Sequence, residues 1–419
     1  MKALEGTRIL DMTHVQSGPT CTQILAWFGA DVIKIERPGV GDATRGQLRD
    51  VPDVDSLYFT MLNANKRSVA RDLETDAGRA SLRQLASGAD VLVESYTPGY
   101  LDSLGVGYDA LKQGNPALVF ASITPFGQTG PYAEFQGSEL VTQAMGGLLY
   151  VQGDDNKPPC YAPCDQSSQL ASLHAAYGAL AALKVRGLTG RGQHVDVSMQ
   201  DIMGHLLFSI AQYGFSREII RRTGATATIA PNGYYKCIDG YVSLAIFFNH
   251  HWQIMQEWMN IEALLDPIWQ DLDFRRSNPD IVNQFVSEFV ADFTIDEFVR
   301  EGQKRHLTVS AMSSIDGFFK DEHINARTFF RDDTHPDIGE YLTTGAPYIF
   351  SDTPWASQRT APTLGQHTKE VLAEAPRPAK SRAAADAPAI NGGPLSGVRI
   401  VDFARVWAGP YATRYLGDL

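Results

Sequence analysis

The sequence predicts an α/β fold: a large Rossmann-like domain with a parallel sheet, and a smaller α+β domain. The chain opens with a βαβ pattern, in which a short apolar run at residues 9–10 precedes a helix and a second predicted strand at residues 32–35. Two further apolar runs, at residues 90–94 and 117–122, are typical of buried parallel strands. Parallel strands alternating with helices predict a doubly wound sheet.

The opening unit also predicts where a ligand binds. Its first strand ends at Asp11, and Gly18-Pro19 begins the helix, because proline is tolerated in a first helical turn. In open α/β sheets, ligands bind beyond the carboxyl ends of the strands, which here are followed by residues 16–17 and by Arg37. The glycine fingerprint G-x-G-x-x-G is missing after the first strand, which disfavours a dinucleotide cofactor.

The rest of the chain divides into a large domain at residues 1–229 and a small one at residues 230–345. Helices are predicted from Glu139 to Val151 and from about Gln166 to Arg186. The buried face of the second helix is predicted to contain Leu170, Leu173, Ala176 and Leu180. In the small domain, Asp239-Gly240 predicts a hairpin turn.

Composition excludes several classes of protein. The 419 residues carry a net charge of −12, which argues against binding nucleic acid through a basic surface. Four cysteines are too few for a disulfide scaffold, and neither the Cys160/Cys164 spacing nor His250-His251 predicts a metal site. No signal peptide or membrane-length apolar run is evident, so we predict a cytoplasmic protein without membrane contact.

The end of the sequence repeats its beginning. Residues 373–394 are rich in Ala, Pro and Gly and predict a linker. Residues 395–419 then match the opening stretch at ten positions: Leu4, Gly6, Arg8, Ile9, Asp11, Val15, Gly18, Pro19, Thr22 and Leu25 recur as Leu395, Gly397, Arg399, Ile400, Asp402, Val406, Gly409, Pro410, Thr413 and Leu416. We expect this segment to be the truncated start of a second, homologous module.

An ordered series of motifs resembles the class III CoA-transferase family, the group that includes formyl-CoA transferase and carnitine CoA-transferase. The motifs are VQSGP at 15–19, AWFGADVIKIERPG at 26–39, NKRS at 65–68, VESYTPG at 93–99, FGQTGPY at 126–132, TGRGQ at 189–193, SMQD at 198–201 and APTLGQHT at 361–368. The resemblance covers nearly all of residues 1–372 and implies that residues 346–372 return to the large domain. It also implies a dimer of interlocked chains, or a pseudodimer within one two-module chain.

The resemblance implies that CoA moves from an acyl-CoA to a small carboxylate, with no permanently bound cofactor. A carboxylate side chain would attack the thioester and then carry CoA as an enzyme thioester. Ungapped counting places the family's aspartate at Ser168, and the acidic residue close by is Asp165. Asp165 is therefore the candidate nucleophile. The alternative is that it is only the N-cap of the helix.

The CoA contacts carried over by the resemblance follow the strands of the sheet. Gln16, Ser17 and Arg37 would hold the pantetheine and phosphate ends, because arginine pairs well with phosphate. The adenine end would be lined by the backbone of the remaining candidates, Arg71, Asp72, Leu73, Glu74, Ser95, Tyr96 and Thr97.

Three functions stay open from the sequence. In the first, the chain is the N-terminal module of a fused CoA-transferase, of the kind that includes dimethylsulfoniopropionate CoA-transferase/lyases, with catalysis in the second module. In the second, Asp165 itself catalyses transfer in an enzyme similar to formyl-CoA transferase. In the third, the module binds CoA or completes a dimer without catalysing any reaction.

Overall fold

The predicted Rossmann-like sheet is confirmed by a computed structural model, which describes residues 2–207, 209–219, 222, 230–377 and 392–419. Six parallel strands lie in the order β3-β2-β1-β4-β5-β6. They are β1 Arg8–Met12, β2 Asp31–Glu36, β3 Lys66–Ala70, β4 Val91–Glu94, β5 Val119–Thr124 and β6 His194–Ser198. The direction in which strands are added to the sheet reverses between β1 and β4. In sheets of this kind, ligands bind beyond the carboxyl ends of the strands at such a reversal point.

Helices and a second set of strands complete the described chain. The helices are α1 Ser17–Trp27, α2 Leu57–Asn63, α3 Asp76–Ser87, α4 Tyr100–Ser103, α5 Tyr108–Gly114, α6 Glu139–Met145, α7 Leu148–Val151, α8 Gln166–Thr189, α9 Met199–Leu206, α10 Ser209–Ser216, α11 Asn249–Met259, α12 Leu272–Ser277, α13 Pro279–Val290, α14 Ile295–Lys304, α15 Ile315–Lys320, α16 Glu322–Ala326, α17 Thr368–Ala373 and α18 Ala408–Gly417. The further strands are β7 Asn232–Cys237, β8 Gly240–Ala245, β9 Val309–Ala311, β10 Phe330–His335 and β11 Gly339–Thr344. Among the described residues, no helix is long and apolar enough to cross a membrane.

The chain forms two compact units. One comprises residues 1–146, 163–206 and 328–419, and the other comprises residues 147–162 and 207–327. The second unit contains the antiparallel sheet β7-β8-β9, whose first turn is the expected Asp239-Gly240 hairpin. Its core is built on side chains such as Trp252, Val286 and Phe298, each fully buried. The domain ranges 1–229, 230–345 and 346–372 stay predictions, and most of the predicted linker 373–394 lies outside the described residues.

Two helix predictions need correction. Helix α8 extends to Thr189, and Leu173, predicted to be buried, is 52% exposed. Its buried residues are mostly alanines, since small side chains let α8 approach α1 closely. The helix predicted over residues 139–151 is two helices, because Gly147 adopts a φ of +85° between them.

An ion-pair network joins α17 to the amino edge of the sheet. Arg8 and Arg67 both bind the Asp31 carboxylate, at 2.9 and 2.8 Å. Arg67 also pairs with Glu370 at 3.1 Å, and both arginines pair with Glu374. Glu374 belongs to the predicted linker, so the first residues of that segment are fixed to the sheet.

The repeated segment also repeats the local structure of the opening turn. The Asp402 carboxylate accepts hydrogen bonds from the Ala404 amide and the Thr413 hydroxyl, as the Asp11 carboxylate does from Thr13 and Thr22. The surroundings differ, however. Phe403 is 93% exposed, whereas its counterpart Met12 is fully buried between strands. Residues 398–403 therefore have the sequence of a central strand without strand partners in the described chain.

Candidate active site

A cavity of about 200 Å³ opens at the carboxyl edge of β1 to β4. Six residues predicted to contact CoA line it together: Arg37, Arg71, Asp72, Leu73, Glu74 and Tyr96. The sequence reasoning did not name the other six lining residues, which are His14, Ile35, Glu36, Val40, Gly41 and Tyr100. His14 precedes the VQSGP motif directly and Tyr100 follows VESYTPG, so adjacency to a motif was the available signal.

The remaining four predicted contacts, Gln16, Ser17, Ser95 and Thr97, do not line this cavity. Gln16 occupies the N-cap position of α1 without a side-chain capping bond, and Ser17 begins this helix, so both belong to the turn between β1 and α1. The Ser95 hydroxyl accepts a hydrogen bond of 3.2 Å from the amide of His14, which links the turns after β1 and β4. Thr97 lines a different, neighbouring cavity.

The walls of the cavity combine cations and aromatic rings. Arg37 is exposed, and its positive charge lowers the pKa of Tyr100. Burial and the hydrogen bond to Glu74 outweigh this effect and raise the pKa of Tyr100 to about 12. The rings of Tyr96 and Tyr100 lie 5.0 Å apart, with their planes 34° from parallel. Guanidinium groups pair with phosphates, and aromatic rings pack on flat rings. The cavity therefore suits a ligand with both phosphate groups and a flat ring.

The amino end of α8 holds two carboxylates. Asp165 precedes the helix, and its side chain makes no capping hydrogen bond to the described helix. Glu139 caps the helix instead, since its carboxylate accepts bonds from the Ser167 amide at 2.7 Å and the Ser168 amide at 2.9 Å. Both serine hydroxyls also donate to Glu139, at 2.7 Å each. Asp165 thus occupies the N-cap position that the alternative expects, but its side chain makes no capping hydrogen bond, and Glu139 accepts the bonds from the first-turn amides.

The backbone at Asp165 is strained. Cys164 and Asp165 adopt φ angles of +64° and +47°, a left-handed conformation that costs non-glycine residues energy. Strained residues of this kind cluster at functional sites. Here the two strained residues directly precede the first turn of α8. Asp165 itself is partly exposed.

Tyr58 of α2 lies within the electrostatic influence of three carboxylates, Asp165, Asp42 and Glu139. Its pKa is raised to about 12, first by burial and then by the charges of Asp165, Asp42 and Glu139. Neither Tyr58 nor Glu139 was predicted. Two adjacent serines, Ser167 and Ser168, stand at the start of α8, and the first turn of this helix contains no acidic residue. That pattern could have indicated that an acidic residue distant in the sequence caps the helix.

A buried carboxyl group supports the turn after β4. Glu94 accepts a hydrogen bond of 2.8 Å from the Tyr96 amide and another from the Ser122 hydroxyl, which lies 2.9 Å from Nε2 of His194. Burial, assisted by the charges of Asp102 and Asp196, raises the pKa of Glu94 from 4.5 to about 7. Between about pH 4.5 and pH 7, the Glu94 carboxyl group is therefore protonated in the native state and ionised in the unfolded chain.

This carboxyl group predicts a pH dependence of stability. The raised pKa means that the stabilising protonated form is fully present below pH 4.5 and is lost as the pH rises through 7. A shift of this size corresponds to about 3 kcal/mol of unfolding free energy. In Glu94→Gln, whose side chain cannot ionise, we expect unfolding by urea between pH 4.5 and 8 to lose this part of the pH dependence. The same slope in both proteins would contradict the assignment.

The parallel sheet in Rossmann order defines an α/β protein, and an arginine-lined cavity at the reversal point of such a sheet is typical of a site for a phosphate-bearing ligand. A family model described as CoA-transferase family III matches residues 4–368. The chain belongs to this family, which confirms the resemblance seen in the motifs. CoA thioesters are the substrates of the family.

Relatives and solved structures agree with this membership. A formyl-CoA:oxalate CoA-transferase of Streptomyces avermitilis is 38% identical over 390 residues, which cover 88% of this chain and 94% of the relative. A protein of the same name from Escherichia coli is 36% identical over 400 residues, covering 88% and 95%. A crystal structure of a CAIB/BAIF family protein from Brucella suis is similar with a TM-score of 0.79 at 28% identity, covering 89% and 99%.

Proposed function

We propose that this chain transfers CoA from a small acyl-CoA to a small carboxylate acceptor, as the relatives named formyl-CoA:oxalate CoA-transferase suggest. The observation that carries the proposal is the cavity beside the sheet's reversal point, where Arg37, Arg71 and two tyrosines offer partners for the nucleotide of CoA. CoA enters as a substrate and leaves as a product. The cytoplasm and an interlocked dimer remain the proposed location and assembly.

Asp165 is the proposed nucleophile. Its carboxylate attacks the thioester carbonyl, which forms a mixed anhydride and releases the CoA thiolate. The thiolate then attacks the Asp165 carbonyl, so that the donor's carboxylate leaves and the enzyme carries CoA as a thioester. The acceptor carboxylate attacks this thioester in turn, and the thiolate completes the exchange by attacking the acceptor carbonyl. Each step regenerates one carboxylate or thiolate, so no external acid or oxidant is consumed.

Position and environment support Asp165 over Glu139. Glu139 accepts four hydrogen bonds from Ser167 and Ser168 and a fifth, of 2.7 Å, from Gln143. Although burial opposes this, these bonds lower the pKa of Glu139 and occupy its lone pairs, which weakens it as a nucleophile. The Asp165 side chain does not cap the described helix. Its strained, partly buried position suits a reactive group.

A second candidate function is favoured by the repeat. The turn at residues 402–413 copies the turn at residues 11–22 in both sequence and hydrogen bonds. It supports a protein of two homologous modules, in which catalysis resides in the second module and this one binds CoA or completes the dimer. A dimethylsulfoniopropionate CoA-transferase/lyase would be a protein of that kind. Ungapped counting places Ser168 at the position of the family's aspartate, which also favours catalysis in a second module.

Replacing Arg37 tests the cavity. We expect Arg37→Ala to weaken CoA binding about tenfold, as loss of a charge-assisted hydrogen bond does. If Arg37 contacts the 3′-phosphate, the effect should be smaller for dephospho-CoA, and titration calorimetry with both ligands measures this. Arg83→Ala removes an exposed arginine of α3 that does not line the cavity, and it should leave both affinities unchanged. Equal affinities of wild type and Arg37→Ala for CoA would refute the placement of the nucleotide.

A further inference from the structure

The turn between β1 and α1 contains a residue in an unfavourable conformation. Val15 adopts a φ of +65°, which is rare for a β-branched residue because its side chain crowds the backbone. The Val15 side chain is 45% exposed, so its own burial gives little compensation. The surrounding structure must therefore impose this conformation.

A buried ion pair provides that constraint. The Asp42 carboxylate accepts a hydrogen bond of 3.1 Å from the Val15 amide, and it lies 2.9 Å from Nζ of Lys34. The same Nζ donates to the carbonyl of Thr13 at 2.8 Å. Both charged side chains have no solvent exposure. One ion pair thus holds the backbone on both sides of His14, a residue that lines the cavity.

Asp42 also joins the opposite wall of the cavity. It follows residues 37–41, which include Arg37, Val40 and Gly41 of the cavity lining. Its amide donates a hydrogen bond of 3.0 Å to Glu36 at the end of β2. The carboxylate therefore connects the turn after β1 to the loop after β2. The two walls that would enclose a nucleotide share one buried anchor.

Stability alone does not explain this arrangement. A buried ion pair is a weak stabilising device, because the cost of removing both charges from water offsets much of their attraction. We propose that Lys34 and Asp42 are positioning residues that hold residues 13–17 in the conformation that binds CoA before the ligand arrives. The inference rests on the proposed function. If it holds, residues 13–17 have the same conformation in the free protein as in the CoA complex, so that no binding energy is used to order them.

The expected effect follows from the population of the competent turn. If the turn without its anchor has the binding conformation one-tenth of the time, the apparent Kd for CoA rises about tenfold. Turnover at saturating substrate should change little, because Asp165 and the start of α8 are unaltered. A general loss of structure would instead lower both.

Paired variants of the chain test this. Lys34→Met with Asp42→Ala removes both charges together and removes the acceptor for the Val15 amide. Lys34→Met with Asp42→Asn removes the same charges but keeps an acceptor. We expect CoA to bind about tenfold more weakly to the alanine pair and about threefold more weakly to the asparagine pair in calorimetry. Without ligand, hydrogen exchange of peptides covering residues 13–20 should be faster in the alanine pair.

Arg67→Ala is the matched control for lost stability, because it breaks ion pairs at the opposite edge of the same sheet. It should lower the unfolding midpoint without changing CoA affinity or exchange at residues 13–20. An unchanged Kd in the alanine pair, with wild type binding CoA and Arg37→Ala binding it weakly, would overturn the inference and leave the proposed function standing. Failure of wild type to bind CoA would overturn both. If the alanine pair does not fold, an asparagine pair whose affinity equals that of wild type overturns the inference.

Discussion

Asp165→Asn should abolish CoA transfer, lowering kcat by on the order of 10³-fold or more, because an amide cannot form the acyl-enzyme anhydride. CoA binding should stay within about a factor of two, since the side chain does not line the arginine cavity. Turnover with formyl-CoA and oxalate measures the first effect, and calorimetry measures the second. Hydroxylamine added during turnover should label Asp165 in the wild type and nothing in the variant.

Two neighbouring substitutions separate chemistry from helix capping. Ser168→Ala removes the hydroxyl at the position where ungapped counting predicts the family's aspartate, and it should retain most of the activity, because Glu139 keeps both amide bonds. Glu139→Gln weakens the cap of α8 and should cost about 1 kcal/mol of stability. If Asp165→Asn retains turnover and Glu139→Gln loses it, Glu139 is the nucleophile. If all three variants remain active, catalysis belongs to another module.

Asp11→Ala should lower the free energy of unfolding by about 3–5 kcal/mol, the usual cost of breaking a buried ion pair on one side. Asp11 is fully buried at the end of β1, where it accepts a hydrogen bond of 2.9 Å from Nζ of Lys66 and lies 3.9 Å from Nζ of Lys34. Burial alone would raise the pKa of Asp11, but the charges of the two lysines lower it below its usual range. Removal of the carboxylate leaves Lys66 buried without its charged partner. Chemical unfolding followed by circular dichroism measures the loss.

The repeat supplies a control for this experiment. Asp402 makes the same local bonds to an amide and a threonine hydroxyl, but it is exposed and no buried lysine pairs with it in the described chain. Asp402→Ala should therefore leave the unfolding midpoint almost unchanged. Equal losses for both variants would mean that the turn itself, rather than the buried charges, stabilises the protein.

The sheet was predictable because its signals are local. Apolar runs such as Val91–Glu94 stand out in the sequence, and chain order fixes most of the topology of a doubly wound sheet. The rule for strand ends placed Arg37 at the ligand edge, the family resemblance added Arg71, and both line one cavity in the structure. The buried face of α8 was predicted wrongly at Leu173, because close packing of helices favoured alanine over the larger side chain.

The details of the candidate site depend on contacts between distant residues. Glu139 meets Ser167 and Ser168 across 28 and 29 positions, and no periodicity in the sequence encodes that pairing. Lys34 looks like a charge that interrupts an apolar strand, yet the structure buries it completely with two aspartates. Pattern rules assign charged residues to the surface and cannot anticipate such partners. The strained φ of Val15 and Asp165 likewise leaves no mark in residue type.

A crystal structure of the chain with bound CoA tests the central claim most directly. The proposed function predicts the nucleotide in the cavity between the turn after β1 and residues 71–74, with phosphates beside Arg37 and Arg71 and the thiol directed toward Asp165. A nucleotide bound elsewhere, or a thiol remote from Asp165 with the arginines unused, would contradict it.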